Sequence, residues 1–226
     1  MTREEVKKYI LKYERILSWI YRLFYHNCVK VSKGSAVSYK GTFMKHCRIK
    51  VSGYGNEVCI ESGITRLTGV NIVIMGNHCK VHIGPGCNLN ESTLYIEDDY
   101  GVIDIKKHVT ITGKTNLSVI EGTKICIGED CLFSSEISFR TGDSHSIINS
   151  KTGERINPSK NIYIGNHVWI GHHANILKGA VVQDNSIIAA GSIVTGKSYP
   201  NNCIVGGVPG IILKEGVTWD AHRLPI

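Results

Sequence analysis

Arg140-Thr-Gly-Asp143-Ser-His145-Ser carries the residue types of a reactive site. An imidazole titrates near neutral pH and can take a proton from a hydroxyl, which makes His145 the candidate general base. Asp143 could orient that ring, although at two residues' distance on a loop it is as readily solvated, and a backbone carbonyl would serve the same purpose. A lone loop histidine is ordinarily a solvated side chain. What gives His145 weight is its place in the chain, which depends on the elements around it.

Those elements announce themselves downstream. Ile164, Ile170, Ile176, Val182, Ile188 and Val194 recur every six residues, and Val168, Ala174, Ala180, Ser186 and Ser192 form a second series of small or β-branched residues in the same step. Neither a 3.6-residue helix nor a two-residue strand alternation produces a strict six. A six-residue repeat is the mark of a parallel β-helix, in which three hexads make a triangular coil with the aliphatic inward and the small residue at the corner. Upstream, Val58-Cys-Ile60, Val81-His-Ile83, Ile103-Asp-Ile105, Ile125-Cys-Ile127 and Ile162-Tyr-Ile164 share one pattern, their second aliphatics 23, 22, 22 and 37 residues apart. A regular coil needs about 18, so the early coils carry small extra segments at one corner. The long step holds a polar insertion near 140–161 with Gly142, Gly153 and Pro158. It is expected to project outward, and long loops on rigid scaffolds are where function tends to sit. His145 lies inside it.

Residues 1–27 read as an amphipathic helix. Thr2 with Glu5 forms a capping box, and Val6, Ile10, Tyr13, Leu17, Ile20 and Phe24 make one apolar stripe, with Lys7, Lys8, Lys12, Arg15 and Arg22 on other faces. The expectation is a helix capping the open first coil; self-association, or peripheral contact with an anionic membrane, is the alternative. Residues 28–214 form the β-helix, and 215–226 a short polar tail. The fold class is thus mainly β, a left-handed parallel β-helix with one N-terminal helix and one long loop.

Composition narrows the function. The chain has 226 residues, a formal charge of +7 and 42% hydrophobic content. No run approaches a membrane span and the N-terminus lacks the pattern of a signal peptide, so the cytoplasm is expected. The eight cysteines include no C-x-x-C pair and fall largely in repeat-like segments, as reduced core or corner residues. The positive charge suits an acidic partner, but the basic residues are scattered and no nucleic-acid motif accompanies them.

The sequence resembles the hexapeptide-repeat acetyltransferases, trimers of left-handed β-helices that move acetyl from acetyl-CoA to sugar hydroxyls. The resemblance covers Val29 to about Lys214 as architecture. It is specific over Gly-Asp-Ser-His145, Val-Trp169-Ile-Gly, Ala190-Gly-Ser-Ile-Val-Thr195, Lys197-Ser-Tyr-Pro and Gly-Gly-Val-Pro209. A loop histidine 24 residues before the tryptophan looks most like the sialic-acid and capsule O-acetyltransferases and their galactoside and maltose relatives. The resemblance implies that His145 deprotonates the acceptor hydroxyl for direct attack on the thioester, that Trp169 walls the acyl and pantetheine arm, and that His172, Ala190, Thr195, Lys197 and Lys214 contact CoA. It departs from the family where Gly196 separates Thr195 from Lys197, and where Ile211 replaces one of two basic anchors. Arg140 and Arg155 could hold an acceptor carboxylate.

The implied protein is a homotrimer with CoA in the groove between subunits, a sugar or polysaccharide acceptor, and no metal. Three other readings compete. An N-acetyltransferase of an amino sugar would use the same cleft, and a non-catalytic scaffold would need neither His145 nor Trp169. A zinc carbonic anhydrase of this fold needs two histidines five apart and a third upstream. His167 and His172 have that spacing, but the upstream region offers Cys131.

Overall fold

The computed structural model describes residues 2–225, and after the helix Arg3–Phe24 the chain winds as a left-handed parallel β-helix. Each coil places one short strand in each of three parallel sheets. Sheet A runs from Cys28–Val31 to Ile193–Val194, sheet B from Ala36–Ser38 to Ser198–Tyr199, and sheet C from Phe43–Lys45 to Cys203–Gly206. Eight coils result, numbered here 1 to 8. The strand Ile211–Glu215 then pairs antiparallel with Cys203–Gly206 and covers the last edge of sheet C.

Both six-residue series do what their spacing requires. The aliphatics from Ile164 to Val194 are all buried, and so are Val168, Ala174, Ala180, Ser186 and Ser192 at the corners. The recurring triplets stack in sheet B, with Ile60 beside Ile83, Ile83 beside Ile105, Ile105 beside Ile127 and Ile127 beside Ile164. Each corner reverses the chain within a few residues, and many corners hold a residue in the left-handed region. At the corner between sheets B and C these are Gly86, His108, Asp130, His167, Asn185 and Asn202. A left-handed residue costs roughly 1–2 kcal/mol for most side chains, so the corners favour Gly, Asn and Asp. The small residue that follows turns inward: Cys87, Val109, Cys131, Val168, Ser186 and Cys203 are all buried.

That packing explains the cysteines. All eight are free thiols, five of them buried. Burial pushes the Cys87 thiol up to about 11 and that of Cys131 up to about 12. These two buried thiols fill space and are poor nucleophiles.

The extra residues of the early coils sit at the corner between sheets A and B. Asn175 pairs with Ile193, 18 residues on, whereas Arg48 pairs with Asn71, 23 on, and the excess lies in the passage from sheet A to sheet B, where corners such as 52–56 and 75–79 and the strands beside them are longer. The same corner carries the large insertion, 141–161, between the strands Ile137–Arg140 and Ile162–Ile164 of coil 6.

The N-terminal helix differs from its sequence reading. The capping box is present, with Glu5 N–H donating to Thr2 Oγ1 at 3.3 Å and Thr2 N–H to Glu5 Oε2 at 2.7 Å. The face against the solenoid, however, is centred on buried Glu14 and Ser18 rather than on the apolar stripe. Glu14 accepts the Gly63 and Ile64 N–H groups of a corner that would otherwise lack acceptors, and Arg22 donates to the Thr42 carbonyl at 2.6 Å. Satisfying buried backbone amides outweighs burying a stripe that can remain at the surface. Val6, Tyr13, Ile20 and Phe24 are therefore exposed. The helix lies alongside the first coils, and Trp19, Arg22 and Leu23 border the coil-1 opening lined by Val29, Tyr39 and Met44.

Two measurements test this architecture. Ile170 is fully buried between Phe133 and Ile188 of the neighbouring coils, so Ile170→Ala is expected to lower unfolding free energy by about 2–5 kcal/mol in denaturant titration. On the outer face of sheet B, His82 Nε2 lies 2.6 Å from Glu61 Oε1 and Nδ1 2.7 Å from Asp104 Oδ1. Burial opposes the charged ring, but the two carboxylates outweigh it and raise the His82 pKa. A folded-state value above the unfolded one, about 6.5, gives stabilisation that is full below the unfolded pKa and disappears as pH rises through the folded one. His82→Asn is therefore expected to lower Tm more at pH 6 than at pH 9; an equal loss at both would exclude the charged ring.

Candidate functional site

The insertion is a pinned hairpin. Ile148 and Arg155 form an antiparallel bridge, Ile156 N–H donates to the Ile147 carbonyl at 2.9 Å, and Gly153 closes the tip in the left-handed region. Its centre is buried Asn157. That amide oxygen accepts Ile147 N–H at 2.7 Å and Arg155 Nε–H at 3.2 Å, while its Nδ2 donates to Asp143 Oδ2 and to the His145 carbonyl, both at 2.8 Å. The amide of His145 donates to the Asp143 carbonyl at 2.8 Å. The backbone of His145 is thus fixed on both sides while its side chain is exposed.

The hairpin is tied to the solenoid by charge. Lys178, at the next A–B corner, pairs with Asp143 and donates to the Asn157 carbonyl at 3.2 Å. Lys178 and Asn157 together hold the Asp143 carboxyl below its usual range. On the other side Arg155 Nη2 lies 2.6 Å from Glu121 Oε1, and Glu121 also accepts Ser159 N–H at 3.1 Å. Asp143 and Arg155 are therefore engaged within the chain. Arg140, at the end of its strand, is exposed and makes a long 3.5 Å contact with Ser144 Oγ.

Thr195 and Lys197 stand at this same corner, in coil 8. Lys197 N–H donates to the Thr195 carbonyl at 2.7 Å, and a Cβ on Gly196 would come within 2.8 Å of the Lys178 carbonyl oxygen. The glycine between them is a packing requirement of the stacked corners.

The remaining candidates gather on sheet C. Trp169 projects from its strand between Leu132 and Ile187 of adjacent coils. Beside this apolar column, Ser134, Gly171, Ala189 and Gly206 succeed one another as a floor of small residues, each amide of the first three bonded one coil onward. At the corner between sheets C and A, His172 Nδ1 lies 3.0 Å from the Ser135 carbonyl oxygen. The Ser135 hydroxyl lies 2.9 Å from the same Nδ1. Ala190 occupies the next coil at this corner, its neighbour Gly191 donating to the His172 carbonyl at 2.8 Å. Lys214 lies further along, on the closing strand opposite Ile204. His167 turns to a different corner, where Nδ1 meets Asn185 Oδ1 at 3.1 Å.

Sequence reasoning missed Trp219, Asn157, Lys178 and Glu121. Trp219 folds back from the tail, its ring stacked on His167 at 4.3 Å and its Nε1–H donating to the His167 carbonyl at 2.8 Å, with Trp169 6.2 Å away. A tryptophan in a polar tail was the available signal, because so large an apolar side chain is seldom left in water. Lys178 had a weaker one, its place at the corner next to the insertion. Asn157 and Glu121 had none.

The candidates thus form two groups. His145, Arg140, Thr195 and Lys197 lie at the A–B corner; Trp169, His172, Ala190 and Lys214 lie on sheet C or its corner with sheet A. In a triangular coil the A–B corner stands opposite sheet C. Within one chain the two groups lie on different parts of the coil.

Comparison with known proteins agrees with this architecture. The family described as Bacterial transferase hexapeptide (six repeats) matches residues 161–196. The polysialic acid O-acetyltransferase of Neisseria meningitidis is 31% identical over 188 residues, covering 74% of this chain and 86% of that protein. The galactoside O-acetyltransferase of Escherichia coli (strain K12) is 38% identical over 112 residues, 47% of this chain and 52% of that one. The solved structure of the polysialic acid O-acetyltransferase OatWY superposes with a TM-score of 0.72 at 27% identity, over 88% of this chain and 89% of that chain. A six-residue repeat wound into a three-sheet solenoid, with a relative of this similarity matched over most of both lengths, means that the chain belongs to the hexapeptide-repeat acetyltransferases.

Proposed function

We propose that the protein transfers the acetyl group of acetyl-CoA to a hydroxyl of a surface polysaccharide, at sites shared between neighbouring copies. The observation that carries this reading is the separation of the His145 hairpin, at an A–B corner, from the Trp169 groove, on sheet C. Neither place alone holds both a base and a cofactor wall. The hairpin of one copy set beside the sheet C groove of the next, both at the level of coil 6, supplies the pair, as in the trimers that the family resemblance implies. Three exposed apolar residues of the hairpin, Ile147, Ile148 and Ile156, then have a surface to cover.

The sheet C groove fits an extended thioester arm. Its floor is built of residues that leave room, and a Cβ on Gly171 would press within 2.7 Å of the Ala190 amide nitrogen. Its wall is the Trp169–Ile187 column backed by Trp219, which would exclude water from the reacting carbonyl. His172, Ala190 and Lys214 lie along the groove, and Thr195 and Lys197 of the facing copy offer a hydroxyl and a cation to the phosphates. In this arrangement the exposed His145 imidazole takes the acceptor hydroxyl proton as the oxygen attacks the thioester carbonyl. It returns that proton to the departing thiolate, and backbone N–H groups stabilise the oxyanion between the two steps. Asn157 acts at one remove, by fixing the backbone on which His145 sits. The acceptor class is supported by the polysaccharide named in the relatives and by the net charge of +7, which suits a polyanion. Arg140, unlike Arg155, is free to meet an acceptor carboxylate. No described helix is long and apolar enough to cross a membrane.

Four outcomes test the proposal. His145→Ala is expected to lower kcat by about 10²–10⁴-fold while leaving CoA affinity nearly intact, because a general base acts in the transition state; retention of more than about a tenth of kcat would remove His145 from that role. Trp169→Ala should weaken CoA binding as well as turnover. When these two inactive variants are reassembled together at equal concentration, about a quarter of sites should pair an intact histidine with an intact tryptophan, and activity should return to that extent; no recovery would place both residues in one chain's site. Asn157→Ala should accelerate amide exchange across 143–148 and reduce kcat with little change in CoA affinity, whereas unchanged exchange would show that the hairpin does not depend on this amide.

A further inference from the structure

The outer face of sheet C changes character along the solenoid. One column of outward side chains runs through Arg66, Asn88, Thr110, Leu132 and Trp169, each paired with the next in successive coils. From Leu132 onward this column is the apolar wall of the proposed groove. Below it, Asn90, Thr110 and Thr112 offer uncharged hydrogen-bonding groups, and no charged side chain stands on the sheet between Arg66 and Trp169.

At the foot of this face the first half of the N-terminal helix stands off from coils 2 to 4 and leaves a cleft of about 550 Å³. Val6, Ile10 and Ile64 make one part of its lining aliphatic, and Lys7, Arg66 and Asn88 supply hydrogen-bond donors. Among the described residues, no carboxylate lies within ion-pairing distance of Lys7 or Arg66, and the Asn88 side chain has no hydrogen-bond partner. Elsewhere on the surface Lys80, Lys106 and Lys107 are each held by a carboxylate. Glu4 also lines the cleft, and His108 at its edge is held by Asp130 at 3.2 Å, so the cations left to a ligand are Lys7 and Arg66.

Two unpaired cations, an amide and an aliphatic wall at one cleft match the parts of an acidic sugar. Its carboxylate suits the guanidinium and the ammonium, its hydroxyls the amide, and the C–H face of its ring the aliphatics. A phosphate shares the anionic chemistry, but the proposed groove gives the cofactor phosphates their cations at its other end, where Lys214 lies. Arg66 and Asn88 stand four and three coils before Trp169, about 19 and 14 Å at the parallel-strand spacing. One sugar cannot occupy both places. A chain of several can, and the neutral polar residues of the sheet lie along its path.

We infer that this cleft is a remote subsite for the acceptor polysaccharide. It holds the carboxylate of one acidic sugar while another sugar of the same chain reaches the reacting thioester at the level of coil 6. The inference rests on the acetyl-transfer reading above and goes beyond it, since it makes an acidic polymer, rather than a single sugar, the preferred acceptor. It also gives the N-terminal helix a part in recognition, as the carrier of Lys7 and of two aliphatics of the cleft.

Polysialic acid, the polyanion named in the relatives, and free sialic acid are the probes. Lys7→Ala combined with Arg66→Ala should weaken binding of a labelled polysialic acid chain, read by fluorescence anisotropy, by at least about 10-fold. In steady state the loss should appear in KM for the polymer rather than in kcat, and Arg66→Lys alone, which keeps a cation, should retain most of the affinity. Free sialic acid cannot span the distance, so its transfer should respond less than that of the polymer. Retained CoA affinity would show that the double variant is folded. Unchanged polymer affinity in that variant would overturn the inference, as would failure of the wild-type protein to bind the polymer. Weakened CoA affinity would overturn it as well, because the cleft would then serve the cofactor phosphates. Polymer binding that depends on Arg66 without any acetyl transfer would leave the subsite standing and refute the acetyltransferase reading; transfer with a KM that ignores both substitutions would do the reverse.

Discussion

Every coil of this solenoid must reverse the chain three times around a core only one side chain deep, and that closure is the constraint on which the rest of the molecule depends. An inward aliphatic at each strand supplies burial, but the reversal requires a corner residue that tolerates left-handed backbone and a neighbour small enough to tuck beneath it. Asn185 with Ser186 and Asn202 with Cys203 are two instances, in successive coils. Because neighbouring coils stack at the parallel-strand spacing of about 4.8 Å, a side chain added at one corner collides with the next: a Cβ on Gly165 would come within 2.7 Å of the Asp184 amide nitrogen. Sequence freedom is left only to the outer faces, to the ends, and to whichever corner can be lengthened.

The lengthened corner is the one between sheets A and B. It is relaxed in coils 2 to 4, where five residues replace three, and it opens fully in coil 6. An insertion there leaves the strand registers before and after it intact, since all three sheets absorb the same 37-residue step. The hairpin can therefore be long without disturbing the wall, and the Lys178 and Glu121 ion pairs fasten it to the coils on either side. Exposed pairs of this kind contribute little stability individually. Their consequence is positional, because they hold Asn157 against the backbone of His145.

Legibility in the sequence followed the strength of the constraint. The hexads were readable because a one-residue slip would break closure, and that regularity made the interruption before Ile162 measurable. The hairpin's existence could be read for the same reason, but its anchoring could not: Asn157 and Glu121 act through distances that no local pattern encodes. The helix shows the opposite failure. Its apolar stripe obeyed the usual periodicity, yet the orientation was decided by two unsatisfied amides at Gly63 and Ile64, and only the fold puts those beside Glu14. Trp219 belongs to the same class, because its partner His167 lies 52 residues earlier.

The same closure also selects the chemistry. A thiol is a convenient corner residue, small and apolar enough to sit beneath a left-handed neighbour, and burial there raises its pKa until almost no thiolate exists near neutral pH. The corners therefore use cysteine for packing and withdraw the buried thiols from nucleophilic catalysis. An acyl transfer on this scaffold has to rely on groups outside the wall, and the hairpin offers an imidazole there. That imidazole has no cofactor wall on its own side of the coil, because the wall can be flat and apolar only on a sheet face, and the loop can emerge only at a corner. A triangular solenoid sets the A–B corner and the face of sheet C opposite each other. Under the proposed function the two meet between neighbouring solenoids, and transfer then depends on assembly.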